Sequence, residues 1–229
     1  MTAPDPVPLR IDFVSDVVCP WCAIGLASLE QALQRLQGEV AADIHFQPFE
    51  LNPQLPPEGE DIAGHLQRKY GMDEAQLAQN QERIRQRGAE LGVVFDLGAR
   101  SRIYNTFDAH RLLHWAELQD RELALALKRA LLRAYFSDGE NVADRDVLVR
   151  IARVSGLDAD AARRVLDNGE YADAVRAQER HFQQAGIHSV PATIVNGQYL
   201  ISGGQPPEVF EQALREIATT ARTPRSAMH

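Results

Sequence analysis

At 229 residues the chain is long enough for one large domain, or for a domain carrying an insertion, built on a sizeable core. Apolar residues at 45% and charged residues at 24% are ordinary for a soluble protein, and no run approaches the roughly 20 apolar residues of a membrane helix. A net charge of −8, from 32 acidic and 24 basic side chains, speaks against a broad nucleic-acid-binding face. Residues 1–8 show no basic stretch followed by an apolar one, so no secretory signal is read and a cytoplasmic location is expected.

Residues 9–15 are rich in Ile, Phe and Val and read as a strand. A turn through Asp16 leads to Cys19-Pro20-Trp21-Cys22. Residues 19–36 then carry Ile24, Leu26, Leu29, Ala32, Leu33 and Leu36 at helical spacing, and Gly38 stops them. Residues 43–50 alternate apolar and polar, a second strand that Pro48 places near an end or an edge. Residues 51–57 form a breaker-rich loop. From Asp61 to Gly186 the pattern is helical, with helices near 61–70, 73–91, 105–118, 121–136, 144–155, 158–168 and 171–185. Asp73, Asn105, Asp144 and Asp158 are their candidate N-caps. Residues 189–202 read as a hairpin about Asn196-Gly197, a type I′ pair. Pro206-Pro207 opens a last helix over 207–219, with fraying expected after Thr220. Strands at the two ends cannot stand alone as pairs, so they must share one sheet, interrupted by the helical block.

Cys19 and Cys22 are the only cysteines. Two thiols three positions apart at a helix start can pass between dithiol and disulfide, which makes redox chemistry the leading reading. Attack on a disulfide needs a thiolate. The free amides and positive dipole end of a helix N-terminus favour that anion at Cys19, and Pro20 suits the first helical turn. Cys22 lies one turn further in and is more shielded. Cys19 is therefore the attacking thiol and Cys22 the resolving thiol.

Other residues support weaker alternatives. His110 and His114, one helical turn apart, could join the cysteines around zinc. Their distance along the chain far exceeds the roughly 12–15 residues of a finger, so no metal is assigned. His110 and His114 otherwise serve a helix interface and the surface, or shape a substrate groove. His45, His65 and His188 form no constellation. Asp12 and Asp16 lie near the cysteines, and Asp16 reads as a turn or cap residue rather than a proton acceptor. Glu50 is a surface carboxylate at a strand end or a proton partner of Cys22. Trp21 either contacts substrate or packs over the helix start.

The segments Asp16–Cys22, Phe46–Pro53, Asn105–Leu112 and Val190-Pro191-Ala192 with Ile201–Gln205 together resemble the DsbA-like family of thioredoxin-fold oxidoreductases. The nearest branch is that of 2-hydroxychromene-2-carboxylate isomerase and FrnE-type proteins. The resemblance spans roughly residues 10–218. It implies an α/β thioredoxin-like fold with a large all-helical insertion: residues 8–57 and 170–220 form the thioredoxin-like part, with a four-stranded sheet, and 58–169 the insertion. It makes Pro191 a cis-proline beside the dithiol, with Val190, Pro20 and Trp21 in contact with substrate. The implied activity is thiol–disulfide exchange on protein or small-molecule substrates, without a bound cofactor and with glutathione as a possible co-substrate. A glutathione-dependent isomerase or transferase is the second reading, although there the first cysteine position is normally a serine. A chaperone-like binding module is the third. Nothing in the pattern specifies an oligomeric state.

Overall fold

The computed structural model describes residues 5–56 and 58–222, centred on a four-stranded sheet. β1 (Val7–Ser15) leads into α1 (Pro20–Arg35), which crosses over to β2 (Val40–Pro48), parallel to β1. Central placement explains why β1 alternates so weakly: from Ile11 onward every residue is buried. β2 lies at an edge and ends on Pro48, as the missing N–H of a proline favours, so it stops short of Phe49 and Glu50.

The chain then leaves the sheet. β3 (Glu60–Asp61) and β4 (Arg102–Ile103) form a two-residue ladder, too short to show in an alternation pattern. Between them run α2 (Ile62–Tyr70) and α3 (Glu74–Glu90), followed by α4 (Phe107–Gln119), α5 (Arg121–Phe136), α6 (Arg145–Val154), α7 (Ala159–Asp167) and α8 (Ala172–Gln184). Asp73 closes a reciprocal capping box with Gln76, and Asp144 and Asp158 accept first-turn amides. Asn105 sits one residue too early to be the N-cap, which is Thr106. Its carboxamide still accepts the Phe107 amide at 2.9 Å.

β5 (Ala192–Val195) returns antiparallel to β1, and β6 (Tyr199–Ser202) completes the order β2-β1-β5-β6. Asn196 and Gly197 both take positive φ, 53° and 64°, the geometry a type I′ turn demands. α9 (Pro207–Arg222) packs on α1. Ala221 and Arg222 continue this helix instead of fraying; the residues beyond lie outside the described ones. One apolar cluster runs from Leu9, Ile11 and Phe13 through Ile24 and Leu29 into Leu112, Leu127, Leu131 and Leu148. A smaller one joins Val14 to Phe182, Ile187 and Ala192.

Glu50 ties the segment after β2 to the helices. Its side chain is only 3% exposed and pairs with Arg176 of α8, which also holds Glu179 at 2.8 Å and stacks 3.8 Å over the Phe107 ring. Glu50 is thus not a surface group, and its ion-pair partner is Arg176. Burial raises its pKa, with the Glu179 charge adding and Arg176 opposing. A raised carboxyl favours folding below its ordinary value, and that contribution is lost as pH rises through the folded one. Removing the cation steepens the loss. Arg176→Ala should cost about 2 kcal/mol at pH 7, discounted for the partial exposure of Arg176, and less near pH 4.5, where the carboxyls take up protons. Urea denaturation at both pH values checks this; an equal loss at each would refute it.

Candidate active site

α1 begins at the dithiol because Pro20 fits a first helical turn, where an N–H would have no partner. Cys19 is the N-cap, with extended backbone at φ −92° and ψ 114°. No side chain caps this end and no acidic residue occupies its first turn. The Cys19 carbonyl accepts the Cys22 amide at 3.0 Å and the Ala23 amide at 3.3 Å, which holds the second sulfur one turn inward. Both cysteines are free thiols. Cys19 retains 4% exposure and Cys22 none.

The other wall comes from the far end of the chain. The Val190–Pro191 bond is cis, and the Cys19 thiol lies 3.8 Å from the Val190 carbonyl as its donor. Two glycines permit this approach. A Cβ on Gly25 of α1 would stand 2.9 Å from Pro191 Cγ, and one on Gly204 would stand 2.9 Å from the Trp21 carbonyl oxygen. Trp21 is half-buried against the main core, and the Arg83 guanidinium lies 5.3 Å from its ring centroid.

Beneath the dithiol lies a group of buried charges. Asp16 is fully buried, accepts the Leu51 amide at 2.7 Å, and faces His110 Nε2 at 3.6 Å. Burial alone would raise its carboxyl; hydrogen bonding and charge from His110, the Leu51 amide and Thr106 reverse that and hold it below its ordinary value. Asp16 therefore organises the turn, as its position predicts, and is also a buried anion beside the two thiols. Lys128, from α5, is 1% exposed, with its ammonium 5.7 Å from the Phe46 ring centroid. No carboxylate lies within 4 Å of it among the described residues. Burial lowers its pKa to about 8 even though the charges of Cys22, Asp16 and Cys19 pull it back up. Burial drives the Cys22 thiol well above its ordinary value and Cys19 adds to the rise; Lys128 and a backbone hydrogen bond from Asp16 oppose it.

The dithiol, Trp21, Val190 and Pro191 come together as expected, and His110 joins them through Asp16. His114 turns away to Gln178 at 3.2 Å and to the Tyr171 ring, and the two histidines do not converge with the cysteines. Among the described residues no cluster of three or more His, Cys, Asp or Glu could hold a metal ion. His45 bridges Asp43 and Glu117, and His65 bridges Glu60 and Asn52, and neither set includes a sulfur. Asp12 is held by Arg10 and Gln47 within the sheet.

The family of DSBA-like thioredoxin domains matches residues 10–215 of the chain. The chain belongs to this family. A crystal structure of a probable DsbA oxidoreductase, SCO1869 of Streptomyces coelicolor, is 36% identical with a TM-score of 0.86, covering 96% of this chain and 94% of its own. The uncharacterized protein YwbO of Bacillus subtilis (strain 168) is 27% identical over 209 residues, 91% of this chain and 96% of YwbO. DsbM, a cytosolic disulfide reductase of Pseudomonas aeruginosa solved with GSH, shares the fold at 18% identity and a TM-score of 0.64, covering 93% of this chain and all of its own. The mixed α/β architecture of this DSBA-like protein, a thioredoxin-type sheet with a helical insertion, is that of the family.

Lys128 escaped the sequence reading. It lies in Ala124–Leu132 of α5, where Lys128-Arg129 among apolar residues looks like the polar side of an amphipathic helix. A lysine with a depressed folded pKa destabilises the fold while charged. That cost is full below pH 8 and fades as pH rises through about 8 toward the ordinary 10.5. Lys128→Met should therefore raise stability at pH 7 by about 3 kcal/mol, and the gap to the parent should narrow by pH 10. Denaturant titrations in reductant measure both; a pH-independent gap would contradict the assignment.

Proposed function

We propose that this protein is a thiol–disulfide oxidoreductase in which Cys19 attacks and Cys22 resolves. The observation that carries the reading is the asymmetry of the pair. Cys19 stands at the uncapped start of a helix beside the Val190 carbonyl, and Cys22 is sealed one turn behind it. The positive end of the helix dipole points at the first position, and no acidic side chain occupies the first turn there.

In the reducing direction the Cys19 thiolate attacks a substrate disulfide. One Cys19–substrate sulfur bond forms, the substrate S–S bond breaks, and the first substrate sulfur leaves as a thiolate that takes up a proton. Cys22 then loses its proton and attacks Cys19. The mixed disulfide breaks, the second substrate sulfur leaves as a thiol, and two electrons have passed from the pair to the substrate. Lys128 makes the second step easier, since its buried charge offsets part of the cost of ionising Cys22. Val190 and Pro191 form the ledge on which an extended substrate backbone lies, with Pro20 and Trp21 on the opposite side.

The protein acts as a reductase or isomerase in the cytoplasm, where a glutathione pool near roughly −220 to −320 mV keeps such pairs reduced. Glutathione is its small-thiol co-substrate and no bound cofactor takes part. DsbM, the similarly folded disulfide reductase, was solved with GSH. No helix among the described residues is long and apolar enough to cross a membrane.

Cys19→Ser should abolish reduction of insulin disulfides, and Cys22→Ser should accumulate Cys19 mixed disulfides visible by non-reducing mass spectrometry. Full exchange activity in Cys19→Ser would overturn the assignment.

A further inference from the structure

The hairpin of α2 and α3 leaves an open groove of about 690 Å3, lined by Tyr70, Met72, Gln76, Gln79, Asn80 and Arg83. That size matches small-molecule sites, which run from roughly 300 to 1,000 Å3. The groove adjoins the dithiol at two points. Arg83 lies over the ring of Trp21, the residue just before Cys22. Tyr70, 54% exposed, is close enough to Cys19 that the charge of that sulfur, after burial, raises the phenol.

The charges of the groove are unevenly matched. Glu82 is already held by Arg85 at 2.7 and 2.8 Å and by Gln86 at 2.7 Å. Arg83 donates to the Asn80 carboxamide at 2.9 Å and has no carboxylate within 4 Å among the described residues. A guanidinium has five donors in a fixed fork, so one amide oxygen leaves most of them open to a carboxylate. The aromatic face beneath it restricts its motion without neutralising it.

We propose that the α2–α3 groove binds the carboxylate of a small acidic thiol through Arg83 while the sulfur of that thiol meets Cys19. The inference rests on the dithiol reading above and assigns the groove and the cation that hold the glutathione-type thiol proposed there, a short peptide bearing free carboxylates. A first thiolate attacks Cys19 of the Cys19–Cys22 disulfide. The intramolecular S–S bond breaks, and Cys22 leaves as a thiolate that takes the proton the thiol gave up. A second thiolate attacks the ligand sulfur of the mixed disulfide and frees Cys19. Two thiols become one disulfide, and two electrons pass to the protein. Arg83 holds the ligand during these steps and takes no proton.

The test compares reduction of the oxidised protein by glutathione and by neutral 2-mercaptoethanol, with rate constants measured by acid quench and alkylation. In Arg83→Leu the ratio of the glutathione rate to the mercaptoethanol rate should fall about fivefold, the scale of one exposed charge pair. Arg83→Lys should restore much of the ratio, and added salt should lower it in the parent but not in Arg83→Leu. An unchanged ratio in Arg83→Leu, whether or not both rates fall, overturns the groove assignment and leaves the dithiol chemistry standing. A parent protein whose cysteines form no disulfide, or whose disulfide neither thiol reduces, overturns both.

Discussion

The antiparallel pairing of β1 with β5 is the constraint on which the site depends. Val14 stands opposite Ala192, so the residues just past the end of β1 face those just before the start of β5. That register brings Cys19 to within 3.8 Å of the Val190 carbonyl, across 171 positions of chain. A slip of one residue would exchange the two faces of β5 and put Ala192 and Ile194 where Thr193 and Val195 belong. The register is well defended: Val14 and Ala192 share one small buried cluster, and Ile11 and Val195 sit in the main one. The site is therefore a consequence of sheet pairing, and the dithiol motif alone would not build it.

Much of this was legible in the residues, and the reason is local chemistry. Cys-Pro-Trp-Cys after an apolar strand, Asn196-Gly197 between β-prone runs, and Asp before each of three helices all act through neighbours a few positions away. The structure returns them with the expected geometry. What stayed hidden acts across the fold. Lys128 and Glu50 carry the residue types most often found on a surface, and only packing against Phe46 or Arg176 makes them interior. Gly25 sits inside α1 and Gly204 in the loop after β6. Their value lies in an absent methyl where α1 meets Pro191 and where the loop after β6 meets Trp21. The strand limits near Pro48 and the cap at Thr106 missed by a residue or two because hydrogen-bond partners, not propensity, decide element ends.

In the proposed exchange reaction, the buried charges separate an attacking sulfur from one held in reserve. Cys22 has no contact with water, and burial outweighs everything that favours its thiolate. Without a nearby cation its ionisation in the proposed resolving step would be costlier still. Lys128 supplies that cation from α5, in a medium where a charge acts strongly because little water screens it. Asp16 is the balancing anion: its charge pulls Lys128 upward, and His110 holds it ionised. The site thus keeps a buried ammonium at a cost to stability, a trade that a purely structural core would avoid by placing an apolar side chain there.

The helical insertion consequently contributes two cations to one reaction centre, and their surroundings give them different work. Lys128 is sealed under the sheet and acts on the sulfurs of the protein itself, with little sensitivity to salt. Arg83 lies in solvent on the face of Trp21 and acts on what arrives, so its influence depends on the charge of the ligand and fades with ionic strength. A thioredoxin-type sheet with its dithiol helix would have the chemistry without either control. The insertion adds a buried charge that offsets part of the cost of ionising the inner thiol and, in the proposal above, an exposed one that holds the carboxylate of an outer thiol. Both lie on helices, whose rigidity fixes a charge relative to Cys19 and Cys22 better than a loop could.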